Sequence, residues 1–167
     1  MSWIGIDGQK NQSMQINSKW DDFVHEEDPK TAGIVVCMNE DDKFLIIRRS
    51  DVDEREGQWT IPGGHIDDKD KSIEAGAIRE LKEETNLTCS RENLVFLEEA
   101  KPDKFYFWAK KWNGDLNVLI PNPETGKIEH DDYRWASIND IKDIDNSEIP
   151  IYLLEKALEM SKNETDY

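Results

Sequence analysis

Residues 79–87 read Arg-Glu-Leu-Lys-Glu-Glu-Thr-Asn-Leu. The three glutamates Glu80, Glu83 and Glu84 are spaced so that a helix would bring them together. At about 100° per residue, with Glu80 at zero, Glu83 falls near −60° and Glu84 near +40°. Ile73, Ala77 and Leu81 fall at about 20°, 60° and 100° on the same wheel, so Glu84 projects among residues that should pack inward. A buried carboxylate without a partner is costly, and three carboxylates within one turn repel one another. A divalent cation answers both difficulties, and hard oxygen donors suit Mg²⁺ or Mn²⁺. Arg79 stands at i,i+4 from Glu83 and can hold it in a charged pair. A solvated, charged helix face would carry the same string, and these residues alone leave both readings open.

What precedes the string narrows the choice. Trp59-Thr60-Ile61-Pro62-Gly63-Gly64 leads into it. Together, residues 63–87 resemble the Nudix box of the Nudix hydrolase family, whose pattern is Gly-x5-Glu-x7-Arg-Glu-apolar-x-Glu-Glu-x-Gly-apolar. Arg79, Glu80, Leu81, Glu83, Glu84 and Leu87 match its second half, and Gly63-Gly64 its start. More weakly, the resemblance extends over residues 31–160. There are departures. The first-half Glu falls on Lys71 counting back from Arg79, and on Asp70 counting forward from Gly64. The loop is therefore one residue longer, with Asp70 or Glu74 as the substitute. Asn86 stands where the family has Gly, and Asn tolerates left-handed backbone better than most residues.

The resemblance implies an α+β fold, a Nudix-type α/β/α sandwich with a mixed central sheet. It also implies a Mg²⁺-dependent pyrophosphohydrolase, with Mn²⁺ as the alternative ion. The substrate would be a nucleoside diphosphate linked to another group, ADP-ribose-like first and a dinucleoside polyphosphate second. Glu80, Glu83 and Glu84 would hold the metal with the Gly63 carbonyl, and Arg79 would orient Glu83. The general base would be a box Glu or a Glu on a later loop; by spacing Glu129 is the candidate, with Glu124 second. Arg48, Arg49, Gly64 and Pro102 are expected on the substrate side, although strand alternation sends one of the two arginines to solvent. Pro102 lies 15 residues after Leu87, an offset that resembles the ADP-ribose pyrophosphatase subgroup; ordinary turn chemistry also explains it. Glu129-His130 and Tyr133-Arg134-Trp135 resemble a segment of dinucleoside-polyphosphate hydrolases. Trp59 could stack on a base or pack in the core, and His65 could touch substrate. Lys71 and the longer loop motivate a rival, a non-catalytic nucleotide-binding module. The retained glutamates argue against it.

These residues need a scaffold. Segments 31–38 and 43–49 read as strands joined by a hairpin-like turn at Asn39-Glu40-Asp41-Asp42. Trp59-Thr60-Ile61 reads as a short strand stopped by Pro62-Gly63-Gly64. A helix is expected over 72–85, with Ser72 as N-cap and Asn86 as its left-handed terminator. Strands follow over 93–100, 105–112, 115–120 and 133–136, with a helical turn at 139–142 and a helix over 149–160. The domain is expected to span 31–162, after a polar arm over 1–30 that Trp20 and Phe23 would attach, and before a tail fraying from 163.

The charge sets the company such a chain can keep. There are 37 Asp and Glu against 21 Lys and Arg, a formal net of −16. Duplex affinity rests on basic residues neutralising phosphates, so stable nucleic-acid binding is not expected, and neither is a polybasic membrane anchor. No secretory signal pattern opens the chain, and no apolar run is long enough to span a membrane. The two cysteines, Cys37 and Cys89, have no metal-ligand spacing, and Cys37 lies in an apolar run. The expected setting is cytoplasmic, and the arm could serve a homodimer. Residues 63–87 hold seven acids against four bases. A polyanionic substrate would be repelled there unless cations intervened.

Overall fold

The computed structural model describes residues 31–145 and 147–165, and the backbone of two strands, Ser2–Trp3 (β1) and Ile6–Ser18 (β2), which pair antiparallel as a sheet of their own. Trp20, Phe23 and His25 of the arm lie outside the described residues.

Alternation along two strands builds the domain. In Ala32–Val36 (β3) and Phe44–Arg49 (β4) nearly every side chain is buried, which requires cover on both faces. Ile34, Val36, Phe44 and Ile46 enter one core, while Val35, Cys37, Leu45 and Ile47 enter the other. The second core packs on Ala77 and Leu81 of the helix Ile73–Thr85 (α1). The first packs on Ile141 of Ile138–Lys142 (α2) and on Leu153, Leu154 and Ala157 of Ile151–Thr165 (α3). Helices therefore cover both sides of a strand layer, which gives the α/β/α sandwich.

That layer consists of two sheets. One has the order β6-β3-β8-β7, where β6 is Gly63–His65, β7 is Leu94–Lys101 and β8 is Lys104–Ala109. It is mixed, because β3 runs parallel to β8 and antiparallel to β6. The other has the order β5-β4-β9 and is antiparallel, with Trp59–Thr60 as β5 and His130–Ala136 as β9. No described helix is long and apolar enough to cross a membrane.

Four local expectations need correction. The turn at Asn39–Asp42 forms, with the Asn39 side chain accepting from the amides of Asp41 and Lys43 at 3.0 Å each. Yet β3 and β4 pair only at its base, through the Met38–Phe44 bridge, and then diverge into different sheets. Gly63-Gly64 does not stop a strand: it is the strand β6, with Gly63 opposite Ile34 and Gly64 opposite Gly33. Segment 115–120 is not a strand. Its backbone is drawn to the end of α1 instead, where the Asn117 amide donates to the Thr85 carbonyl at 2.9 Å and the Asn86 side chain donates to the Asp115 carbonyl at 2.9 Å. The chain from residue 163 stays helical to Thr165.

Candidate active site

The carboxylates are placed by α1, and α1 is defined at both ends. Ser72 caps it by accepting from the Ala75 amide at 3.0 Å. Asn86 ends it at φ 67°, its amide donating to the Lys82 carbonyl at 2.9 Å. The helix then lies close on β3 and β6 because both sides are small where they meet: a Cβ at Gly33 would stand 2.8 Å from the Ala77 Cβ. At Gly64 a Cβ would run into the Glu80 carboxylate. Gly64 is therefore what lets Glu80 reach the strand.

Glu84 turns toward the same strand. Its Oε1 accepts the Gly63 N–H at 2.9 Å. Burial pushes the Glu84 carboxyl well above its ordinary range, and the Glu80 and Glu129 carboxylates push the same way. The Gly63 N–H and Arg49 offset this only in part. Glu80 is raised to about 7, again by burial first, with Arg79 opposing and Glu83, Glu129 and Asp70 adding to the rise.

Arg79 is the local counter-charge, and it is heavily used. Its Nε and one terminal nitrogen hold the two Asp70 oxygens at 2.9 Å each. It also donates to Glu83 at 3.1 Å and to the His65 carbonyl at 3.0 Å. The pair with Asp70 raises the guanidinium's pKa further above an already high value and holds the Asp70 carboxyl below its usual range. Of the two candidates for the longer loop, it is Asp70, not Glu74, that pairs with Arg79. Glu74 lies instead beside Arg91, at 3.8 Å. Lys71 stands aside, and the extra residue is taken up in the turn where the Asp67 amide donates to Asp70 at 2.9 Å.

Glu129 reaches the site from the other sheet. Ser50 donates through its hydroxyl to the Ile128 carbonyl at 2.6 Å and through its amide to the Glu129 carbonyl at 2.9 Å. This clamp, together with the Arg49–His130 register, sets Glu129 in one small pocket with Glu80, Glu83, Glu84, Val118, Asn122 and His130. His130 is buried and pushed down to about 4, by burial first and Arg49 next, so it is neutral.

The pocket opens into a cleft of about 1240 Å³ that also holds Gly63, Gly64, Arg49, Arg55, Lys104, Tyr106, Glu124 and Glu148. Its size suits a nucleotide. Arg49 lines it; Arg48 does not. Alternation sends Arg48 outward, where it pairs with Asp131 at 2.8 Å and lies over the Trp59 ring at 5.8 Å. Trp59, flanked on its ring by Arg134 as well, packs against the first core and is not part of the cleft. Pro102 sits exposed in the β7–β8 turn, outside the cleft lining. Reading the sequence missed Ser50, which clamps the Glu129 backbone, and Arg55, Lys104, Tyr106, Asn122 and Glu148 of the cleft, because the tertiary fold, not spacing, brings them together. Only Ser50 carried a signal, as a polar residue closing an apolar strand.

The donors fit a hard divalent cation. Four carboxylates share one pocket, two of them carry raised pKa values, and Arg79 is committed to Asp70 and Glu83. Among the described residues, no three His, Cys, Asp or Glu groups already stand at ligand spacing. Binding an ion would therefore draw Glu80 and Glu83 in from their contacts with Arg79, at 3.7 and 3.1 Å.

Comparison with known proteins agrees with this arrangement. The family model of the NUDIX domain matches residues 28–156. A curated RNA pyrophosphohydrolase of Bartonella tribocorum is 28% identical over 140 residues, covering 69% of this chain and 79% of that protein. The 8-oxo-dGDP phosphatase NUDT18 of Homo sapiens is 34% identical over 87 residues, 51% of this chain. That stretch is 26% of the human protein, so the chain matches only about a quarter of that relative's length. Among solved structures, a MutT NUDIX hydrolase from Burkholderia pseudomallei superposes with a TM-score of 0.56 at 21% identity, covering 80% of this chain and 98% of that one. An ADP-ribose pyrophosphatase from Streptococcus suis gives 0.51 at 20% identity, covering 81% and 93%. These structural likenesses speak for the fold.

Proposed function

The chain belongs to the Nudix family, and from that premise we propose that it is a pyrophosphohydrolase cleaving a nucleoside diphosphate linked to another group. Glu84 carries the reading. It is a deeply set carboxylate, facing Glu80 and Glu129 with little compensation, and such a group is costly to keep unless it binds a cation.

Glu80, Glu83 and Glu84 would hold Mg²⁺, or Mn²⁺ in its place, with the Gly63 carbonyl as a further donor. When bound, the ion supplies charge stabilisation on the diphosphate and a more acidic water. Glu83, held by Arg79 in the metal-free chain and drawn to the ion when it binds, is left little freedom to move a proton. The Glu129 carboxylate has no hydrogen bond or ion pair among the described residues. It sits on the opposite wall and takes the proton of the attacking water. The water oxygen bonds to one phosphorus, the bridging P–O bond breaks, and two phosphate monoesters leave. Glu124 lines the cleft but not the inner pocket, and is the second candidate base.

ADP-ribose and dinucleoside polyphosphates remain the two substrates to try first. The preference for ADP-ribose rested on Pro102, which stands outside the cleft, so both belong in one panel with product identification. Glu84→Gln should lower turnover by on the order of a hundredfold or more with the fold retained. Near-wild-type turnover in that variant would remove Glu84 from metal binding. Tight ADP-ribose binding with no turnover on any substrate would instead support the binding-module reading.

A further inference from the structure

Beyond the carboxylates the cleft changes sign. Arg49, Arg55 and Lys104 line this part, in a chain whose net charge is −16. Arg49 reaches Asp53 at 3.3 Å and Glu148 at 3.1 Å. Arg55 reaches the same two carboxylates, at 3.3 and 3.6 Å. Two arginines thus share two acids. The Lys104 ammonium has no ion-pair partner among the described residues, although it is half-buried. Arg49 Nε is fully buried and has no hydrogen-bond partner among the described residues. An unpartnered buried donor costs about 1–3 kcal/mol; Arg49 Nε is one such donor, and the Lys104 ammonium, without an ion pair and lining the same cleft as Arg49, points to an anion that arrives with the ligand.

This cationic arm of the cleft, unrelated to the N-terminal segment, is continuous with the carboxylate pocket. Arg49 lies within electrostatic reach of Glu84 at one end and meets Glu148 at the other. Glu148 is exposed, beside the buried Ile149. It belongs to the segment between α2 and α3, which touches β5 through the Ser147–Trp59 bridge and one long hydrogen bond, from the Glu148 amide to the Trp59 carbonyl at 3.4 Å. Its carboxylate, like that of Asp53, is an internal anion that these arginines hold.

We propose that this arm receives a phosphate of the substrate beyond the two bound at the carboxylate pocket, and that Glu148 sets selectivity by competing with that phosphate for Arg49 and Arg55. The claim rests on the hydrolase reading and narrows it to substrates carrying at least three phosphates. A neutral sugar offers Lys104 and Arg49 no charge, whereas a third phosphate offers both an acceptor. Glu148 acts through the arginines and is a positioning residue.

The test has a binding part and a turnover part. Inorganic tripolyphosphate is titrated by calorimetry in chelator against the wild type, Lys104→Gln, Glu148→Gln and Glu148→Asp. Lys104→Gln should weaken binding about tenfold. Glu148→Gln should tighten it about threefold or more, since a competing charge is removed, and Glu148→Asp should return it toward the wild type. A gain of affinity cannot come from misfolding. In Mg²⁺, the ratio of kcat/KM for a nucleoside triphosphate or a dinucleoside tetraphosphate over ADP-ribose should fall about tenfold in Lys104→Gln, mainly through KM. The two polyphosphates tell a terminal phosphate from an internal one.

The proposal is overturned if the wild type binds no tripolyphosphate or if Lys104→Gln binds it equally well. It is also overturned if Glu148→Gln leaves affinity unchanged. No turnover on any substrate, with tripolyphosphate affinities moving as stated, would overturn the hydrolase reading and leave the arm standing.

Discussion

Replacing Glu80 with Gln should make the protein more stable while making it a poorer catalyst, and the direction follows from one carboxylate. The amide keeps the shape that fits against Gly64 and removes the charge. In the folded chain Glu80 is raised from 4.5 to about 7. A carboxyl raised on folding leaves the native state holding more protons than the unfolded chain between those two values. Stability is then unaffected below about pH 4.5, falls as pH rises through the window, and levels off above about pH 7. A shift from 4.5 to about 7 corresponds to at most about 3 kcal/mol at pH 8. Because the side chain is 16% exposed, water screening lowers the expected gain to about 1–3 kcal/mol. For a domain of this size that is a rise of about 3–9 °C in Tm. Urea unfolding of both proteins at pH 5 and pH 8, in chelator, measures it. The variant should lead at pH 8 and the gap should shrink markedly at pH 5. With Mg²⁺ added at pH 8 the wild type should regain stability and the variant should gain less, by linkage. A variant no more stable than the wild type at pH 8 in chelator would refute the idea that Glu80 is held at an electrostatic cost.

Three further outcomes can be checked alongside it. Arg79→Lys cannot keep the two-point hold on Asp70 together with Glu83 and the His65 carbonyl; it should cost about 1–3 kcal/mol and lower kcat about tenfold or more, read by unfolding and by steady-state kinetics. Gly64→Ala drives a methyl into the Glu80 carboxylate; kcat should drop about tenfold or more, while Tm falls only modestly, so an unchanged kcat would mean that Glu80 has room to move aside. His130 is lowered from 6.5 to about 4, so the stability it gives as a neutral ring is complete above about pH 6.5 and is lost as pH falls toward 4, by up to about 3 kcal/mol. In the Glu80→Gln background, where Glu84 still opposes, His130→Gln should remove this gain, so that stability between about pH 4 and 6.5 falls more steeply with rising pH than in Glu80→Gln alone, read by urea unfolding across that range.

Much of the scaffold was legible in the sequence because it depends on local chemistry. Ser72 and Asn86 bound α1 through their own backbone preferences, and the alternating burial of β3 and β4 is written in their apolar runs. What failed is what depends on partners elsewhere in the chain. Segment 115–120 has the alternation of a strand, but the open carbonyls at the end of α1 claim its backbone donors. Gly63-Gly64 looks like a chain stop; it becomes a strand because β3 offers an edge, and only residues without a Cβ fit between that edge and Glu80. Arg48 and Arg49 are equal in sequence, and only the pairing of β4 decides which one enters the cleft. Lys104, Arg55 and Glu148 come from three separate segments, and no spacing rule connects them.

A solvated helix face was the plain alternative for the Arg79–Glu84 string, and Lys82 and Glu84 separate the two readings. Lys82 is exposed, as a solvated face requires. Glu84, two residues on, points the other way, into a pocket where its neighbours are Glu80 and Glu129 and its hydrogen-bond donor is the Gly63 amide. Nothing about solubility calls for a carboxylate there: in a chain with a net charge of −16 it adds repulsion where repulsion is least screened. A leucine or glutamine would fill the space with less penalty. The acidic cluster and the cationic arm thus divide one cleft into an anionic part and a cationic part, which the proposed metal and phosphate would each complement. A phosphate chain accompanied by a divalent ion satisfies both at once, and neither the ion nor the phosphate satisfies both alone.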